Sequence, residues 1–136
     1  MTTAPEPLPV ATAELVVGEH DLASQVALAP GDAFPAVFAT ARMVGLMEVA
    51  ASRCLAPLMQ AGEMSVGVGV DVQHTAPTPT GARVRATARF VGREGKLFRF
   101  EVEAEDEAGS IGRGTHTRAI VAAARLVAGA ARRRGG

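Results

Sequence analysis

Three side chains able to attack a carbonyl or move a proton stand out in a largely aliphatic chain: Thr40, Glu48 and His74. Glu48 is the one carboxylate in "FATARMVGLMEVAASRCLAPLMQ", which runs from Phe38 to Gln60 and is apolar or small almost throughout. A carboxylate in such surroundings costs free energy unless it is partnered or its pKa rises. It therefore reads either as a satisfied structural glutamate or as a group kept for chemistry. His74 closes a strand-like run beside the turn "APTPTG", and Thr40 stands where the helical pattern begins. A hydroxyl, a carboxylate and an imidazole can supply a nucleophile or water-orienting group, a base and a proton relay. The amides at a helix N-terminus could then receive an oxyanion. Spacing alone does not bring the three together, and a structural role for each stays open.

The elements that must position these groups follow from periodicity. At about 100° per residue, Met43, Met47, Ala50, Cys54 and Leu58 form one helical stripe, with Arg42 and Arg53 on a wetter side and Glu48 on a flank with Val44, Ala51 and Leu55. Thr40 is the expected N-cap. The segment from Glu14 to Pro30 holds one or two short strands, and "GDAFPAVFAT" connects them to the helix. Four strand-like runs follow, at 65–75, 82–91, 96–106 and 109–123, separated by Gly- and Pro-rich turns. Alternation puts Ala82, Val84, Ala86, Ala88 and Phe90 on one face of the second run, and Phe98, Phe100, Val102 and Ala104 on the matching face of the third. A hairpin around "GREG" is expected to set Arg83 opposite Glu105 and Arg85 opposite Glu103, a charge complementarity that competes with a phosphate-holding role for these arginines. The glycines of "SVGVGVDV" suggest close approach along a strand, since the lysine and spacing of a phosphate-binding loop are missing.

Composition narrows the function classes. The 136 residues make one domain: a proline-bearing arm at 1–13, a folded unit at 14–124 and a basic tail at 125–136. Fourteen basic and 14 acidic residues balance, which argues against nucleic acid or a membrane surface as the main partner. The single cysteine, Cys54, excludes an internal disulfide and a cysteine-rich zinc site, and it falls on the apolar helical stripe. "MTTAPEPLPV" lacks the regions of a signal peptide, and no apolar run reaches membrane-spanning length, so a cytoplasmic setting is expected. His20, in a loop, and His116, in the last strand, read as surface or structural residues.

Four motifs carry a resemblance: "FPAVFAT", "MVGLMEVA", "CLAPLMQAGEMSVGVGVDVQHTAPTPTG" and "IGRGTHTRAIV". In order and residues they resemble the fluoroacetyl-CoA thioesterase family of hot-dog-fold enzymes over about residues 34–122, most closely from Phe34 to Gly81. The resemblance implies an α+β hot dog: an antiparallel sheet wrapped around one long central helix, paired into a homodimer with two sites at the interface. It implies a catalytic Thr40, Glu48 and His74. Phe34 would gate the acyl pocket, Gly67 would lie against the thioester and Arg118 would border the site. The implied reaction is hydrolysis of a short-chain acyl-CoA, with coenzyme A entering as part of the substrate and no metal or other cofactor. A non-catalytic acyl-thioester-binding dimer is the alternative. A hydratase on this fold would pair a His with an Asp in a different motif. The stretch before "FPAVFAT" looks shorter than in the family, and Val49 replaces a large aromatic, so weak discrimination of a fluorinated acyl group is expected.

Overall fold

The computed structural model describes residues 4–135. A five-stranded antiparallel sheet, in the order β1-β3-β4-β5-β2, curls around one long helix. The strands are β1 (Val10–Val16), β2 (Glu63–His74), β3 (Arg83–Glu94), β4 (Leu97–Asp106) and β5 (Gly109–Ala122). The central helix α1 spans Thr40–Cys54, and a second helix α2 spans Ala123–Arg133. This is the hot-dog arrangement expected from the motifs.

The core forms where the two periodicities meet. The helical stripe Met43, Met47, Ala50 and Cys54 is fully buried, with Leu46 and Ala51 beside it. It packs chiefly on β1 and β3. The sheet answers with Val84, Ala86 and Ala88 from β3 and Phe98, Phe100, Val102 and Ala104 from β4, all buried. Fully burying a side chain of Met or Phe size contributes about 1.5–3 kcal/mol, so this face fixes which side of each strand looks inward. Burial also holds the Cys54 thiol above its ordinary pKa, against a lowering contact from the Ala11 backbone, so it sits protonated in the core.

Four expectations change. The arm expected over 1–13 already contains the start of β1 at Val10, and the Leu8 amide donates to the Cys54 carbonyl at 2.7 Å. The basic tail continues from β5 as α2, so the described residues hold two α-helices. The hairpin register is displaced by two residues: Arg85 faces Glu105 and Arg89 faces Glu101. The turn is tighter than supposed, centred on Gly95 (φ 61°) and Lys96, and a bulge at Val91 removes one step. An even displacement preserves the buried face. Arg85 instead pairs with Glu14 of β1 at 2.8 Å, Arg89 reaches Glu103 at 3.8 Å, and the arginine row remains cross-strand charge complementarity. Finally, Ala39 is the N-cap of α1 without a side-chain bond, and Thr40 is its first helical residue. The Thr40 hydroxyl is turned to His74.

Candidate active site

The expected site residues form two clusters. The first is built where α1 crosses β2 and β5. Glu48 emerges from the middle of the helix, two turns beyond Thr40, toward Gly67 on β2. A Cβ added at Gly67 would lie 3.2 Å from Cδ, Oε1 and Oε2 of Glu48. The missing side chain is thus what lets the carboxylate lie against bare strand backbone. Gly67 pairs with Arg118 of β5, and a bulge at Val68 follows. Arg118 is buried at 5% exposure. Its Nη1 donates to Glu48 Oε2 at 3.1 Å, its Nε to Ser65 Oγ at 3.0 Å and its Nη2 to the Ser65 carbonyl at 2.9 Å.

His116 completes this cluster, two residues from Arg118 on the same face of β5. Burial lowers the pKa of His116; the Gly69 hydrogen bond raises it, the Arg118 charge lowers it and the Glu48 charge raises it, with a net lowering. The neutral ring then has one consistent assignment: Nδ1–H donates to the Gly69 carbonyl at 2.7 Å, and Nε2 accepts from Arg118 Nη1 at 3.2 Å. Arg118 is therefore held from three sides, while the Glu48 side chain remains 42% exposed. A buried guanidinium held by four hydrogen bonds and presenting a half-open carboxylate suits a group that must meet an incoming ligand.

The second cluster lies at the start of α1. Thr40 Oγ and His74 Nδ1 are 2.8 Å apart. The buried Nε2 of His74 has no hydrogen-bond partner among the described residues. Phe38 packs edge-on to the ring with centroids 6.5 Å apart. Half-exposed Phe34 joins Phe38, Thr40 and His74 around a shallow cleft of about 390 Å³. The connection from β1 is anchored by Asp21, which is buried and accepts from Gly18 N–H and Arg42 Nε, both at 2.9 Å. The Asp21 carbonyl accepts from the Ala39 amide at 2.9 Å and so fixes the helix entry. With no side-chain cap, the leading amides of α1 are open to an oxyanion.

Within one chain the clusters stay apart. Thr40 and Glu48 are separated by about 12 Å of helix rise, and Gly67 and His74 by about 20 Å of strand. Their hydrogen-bond networks share no member. Ser65 and His116 belong to the Glu48 network and Asp21 fixes the helix entry beside Thr40, although the motifs did not single them out as site residues. Among the described residues no three His, Cys, Asp or Glu side chains gather as a metal cluster, and no helix is long and apolar enough to cross a membrane.

Comparison with known proteins places this geometry. The family model described as fluoroacetyl-CoA-specific thioesterase matches residues 17–124. The fluoroacetyl-CoA thioesterase of Streptantibioticus cattleyicolor is 48% identical over 88 residues, 65% of this chain and 63% of that protein. The chain thus matches less than two thirds of that relative's length. Among solved structures, the fluoroacetyl-CoA thioesterase FlK superposes with a TM-score of 0.83 at 36% identity, covering 97% of both chains. A phenylalanine-to-alanine variant of FlK holding fluoroacetate and CoA gives 0.80 at 38% identity, over 92% of this chain and 99% of that one. A thioesterase superfamily member from Thermus thermophilus gives 0.82 at 32% identity, over 99% and 96%. The chain belongs to the fluoroacetyl-CoA-specific thioesterase family.

Proposed function

We propose that this protein hydrolyses short-chain acyl-CoA thioesters to the free acid and coenzyme A, with Thr40, Glu48 and His74 as the reacting groups of a homodimer. The observation that carries the reading is the Glu48 carboxylate, presented by buried Arg118 against the bare backbone of Gly67. A thioester carbonyl lying along that backbone meets the carboxylate with no side chain between them. Glu48 then either attacks the carbonyl carbon or takes the proton from an attacking water. The Thr40 hydroxyl, bonded to His74, orients the acyl group or receives it, and where the acyl group is held on Glu48 or Thr40 a water then cleaves that bond to give the free acid. The imidazole passes a proton toward the departing thiolate, and the open amides of α1 stabilise the oxyanion. No metal or further cofactor enters this scheme. The apolar rim, with Phe34 and Phe38, fits a small uncharged acyl group.

The dimer is part of the proposal because it joins the clusters. β2 is the last strand of the sheet and exposes Met64, Val68 and Val70 along a free edge. Such an edge invites pairing. A two-fold copy pairs antiparallel across it, turning the His74 end of one strand toward the Glu48–Gly67 end of the other. Each site would then draw its carboxylate from one copy and its hydroxyl and imidazole from the other.

Mixing two inactive variants tests both parts. Thr40→Ala and Glu48→Gln homodimers should each release little thiol from acetyl-, fluoroacetyl- and propionyl-CoA. Dissociated and reassociated together, they should recover about a quarter of wild-type activity, because half the dimers are mixed and each carries one intact site. No recovery would place the site within one chain. No turnover of any ester by the wild type above the Glu48→Gln control would leave the non-catalytic binding dimer as the reading.

A further inference from the structure

The neutral net charge conceals a division. From Ala108 to the end the chain carries six arginines and no carboxylate side chain, while the preceding residues hold the other eight basic groups and all 14 acidic ones. Two of the six, Arg113 and Arg118, lie on β5. The other four, Arg125, Arg132, Arg133 and Arg134, lie on or directly after α2, and among the described residues none is within ion-pair reach of a carboxylate. Most other arginines of the molecule are engaged: Arg42, Arg83, Arg85, Arg89, Arg99 and Arg118 meet carboxylates. Arg132 and Arg133 complement the C-terminal end of the helix dipole, and cations without carboxylate partners on one short helix leave positive potential there.

A cleft of about 690 Å³ runs between α2 and the end of β5. Its floor is apolar, from Ile120, Leu126, Gly129 and Ala130, and Arg125 and Arg133 line it about two helical turns apart. Ile120 is two residues beyond Arg118, so the two share a face of β5. The cleft therefore begins about 7 Å along the strand backbone from Arg118, whose side chain holds Glu48.

We infer that this cleft binds the phosphorylated adenosine end of the coenzyme A ester, with Arg125 and Arg133 on its phosphates and the base against the floor of Ile120, Leu126 and Ala130. The inference rests on the thioesterase reading and extends it to the part of the substrate that does not react. A diphosphate and a 3′-phosphate carry several negative charges close together, and guanidinium groups meet phosphate oxygens in a matching fork. An aromatic base has an apolar face that suits a small-residue floor. The pantetheine arm would run from the carbonyl beside Glu48 along the Arg118–Ile120 face to the cleft.

The first measurement is calorimetric titration of the full chain with CoA itself, which needs no turnover. Arg125→Ala/Arg133→Ala should weaken CoA by about tenfold, as expected for losing two partly exposed ion pairs, and the difference should shrink as salt rises. Arg113→Ala removes an arginine that lines a separate depression on the sheet and serves as the charge control; it should bind CoA as the wild type does. The second measurement compares acetyl-CoA with acetyl-pantetheine. The double variant should raise KM for acetyl-CoA about tenfold and change the pantetheine ester less than twofold. Equal CoA binding by double variant and wild type, or equal losses on both esters, would overturn the inference. So would a change of assembly mass in sedimentation with CoA affinity intact, which would make a second copy the occupant. Arginine-dependent CoA binding by a wild type that hydrolyses neither ester would retain the subsite and sink the thioesterase reading.

Discussion

The two clusters differ in how completely the fold holds them. Around Glu48, a buried arginine is gripped by Ser65, His116 and the carboxylate, and both ring nitrogens of His116 are used. Around Thr40, one hydrogen bond joins an exposed hydroxyl to a ring whose other nitrogen has no partner among the described residues. The first cluster sits on two paired strands, whose ladder fixes Gly67 and Arg118 side by side. The second sits where a loop enters a helix. In the proposed reaction, the Glu48 carboxylate faces a carbonyl in one orientation and gains from the rigid end. In that proposed reaction, a hydroxyl and a proton carrier that complete their contacts with substrate and a second copy can occupy the open end.

The sharpest way to break this comparison is Glu48→Gln. The amide keeps the volume and an oxygen that can accept from Arg118, but it cannot attack or take a proton. Turnover should fall by about 10²–10⁴, the range for loss of a general base. Stability should fall by less than about 1 kcal/mol, because the side chain is 42% exposed and solvent screens its pairing with Arg118. Initial rate and melting temperature on one preparation decide it. A destabilised variant with near-normal turnover would make Glu48 a structural ion-pair member.

A smaller step tests whether the rigid end works by placement. Gly67→Ala would put a methyl 3.2 Å from the whole carboxylate, tight enough to displace it by a few tenths of an ångström without unfolding the strand. Activity should drop about tenfold with little change in melting temperature. Wild-type kinetics in this variant would show that the glycine serves only the bulge beside it.

His116 sharpens the comparison further. His116→Gln keeps an acceptor toward Arg118, whereas His116→Asn keeps only a donor toward the Gly69 carbonyl. If the ring positions Arg118 and through it Glu48, the Gln variant should retain several-fold more kcat than the Asn variant at matched stability. Rates that simply follow melting temperature in both variants would reduce His116 to packing. The ring's own titration adds a sign. Its folded pKa is lowered, so the folded chain binds fewer protons than the unfolded one. The stability it contributes is present above about pH 6.5 and is lost as the pH falls toward the folded value.

Much of the fold was legible because it rests on local repetition. A helical stripe of Met, Ala and Cys and strict alternation in β3 and β4 name the buried faces without any long-range information. What lacked a periodic signal was misread. The hairpin register turned on a single bulge residue, Val91. Capping is a local signal and points to Thr40 as a cap, while the partner of its hydroxyl lies 34 residues away on β2. Arg118 could be placed at the site only through family resemblance, and its grip on Ser65 arises from the pairing of β2 with β5, which no spacing within either strand reveals. Asp21 sat in a segment without periodicity. α2 carries no clear signal in the sequence, because its alanines, glycine and terminal arginines fit a solvated end as well as a helix. The separation of Thr40 and His74 from Glu48 is a property of the folded chain alone, and the sequence motifs, which place all three in one catalytic group, are silent about it.

Asp21 gives the smallest effect and tests the open end itself. Its carboxylate is buried, which works to raise its pKa, but the Gly18 amide, the Arg42 hydrogen bond and the charges of His20 and Arg42 outweigh burial and leave it below the ordinary aspartate value. A carboxyl more acidic in the folded state stabilises the fold above its unfolded pKa of about 3.9, and that contribution disappears as the pH falls through the folded value. Asp21→Asn should therefore cost about 1 kcal/mol near neutral pH, kept modest because Arg42 is half exposed, and the gap to wild type should close below about pH 4. Urea unfolding at a series of pH values reads this directly. The same variant leaves the Asp21 carbonyl on the Ala39 amide, so the helix entry stays in place and turnover should change less than about threefold, far below the loss at Glu48. A pH-independent stability gap would remove the charge of Asp21 from the account. A rate loss as large as that of Glu48→Gln would mean that the open end is held as tightly as the rigid one.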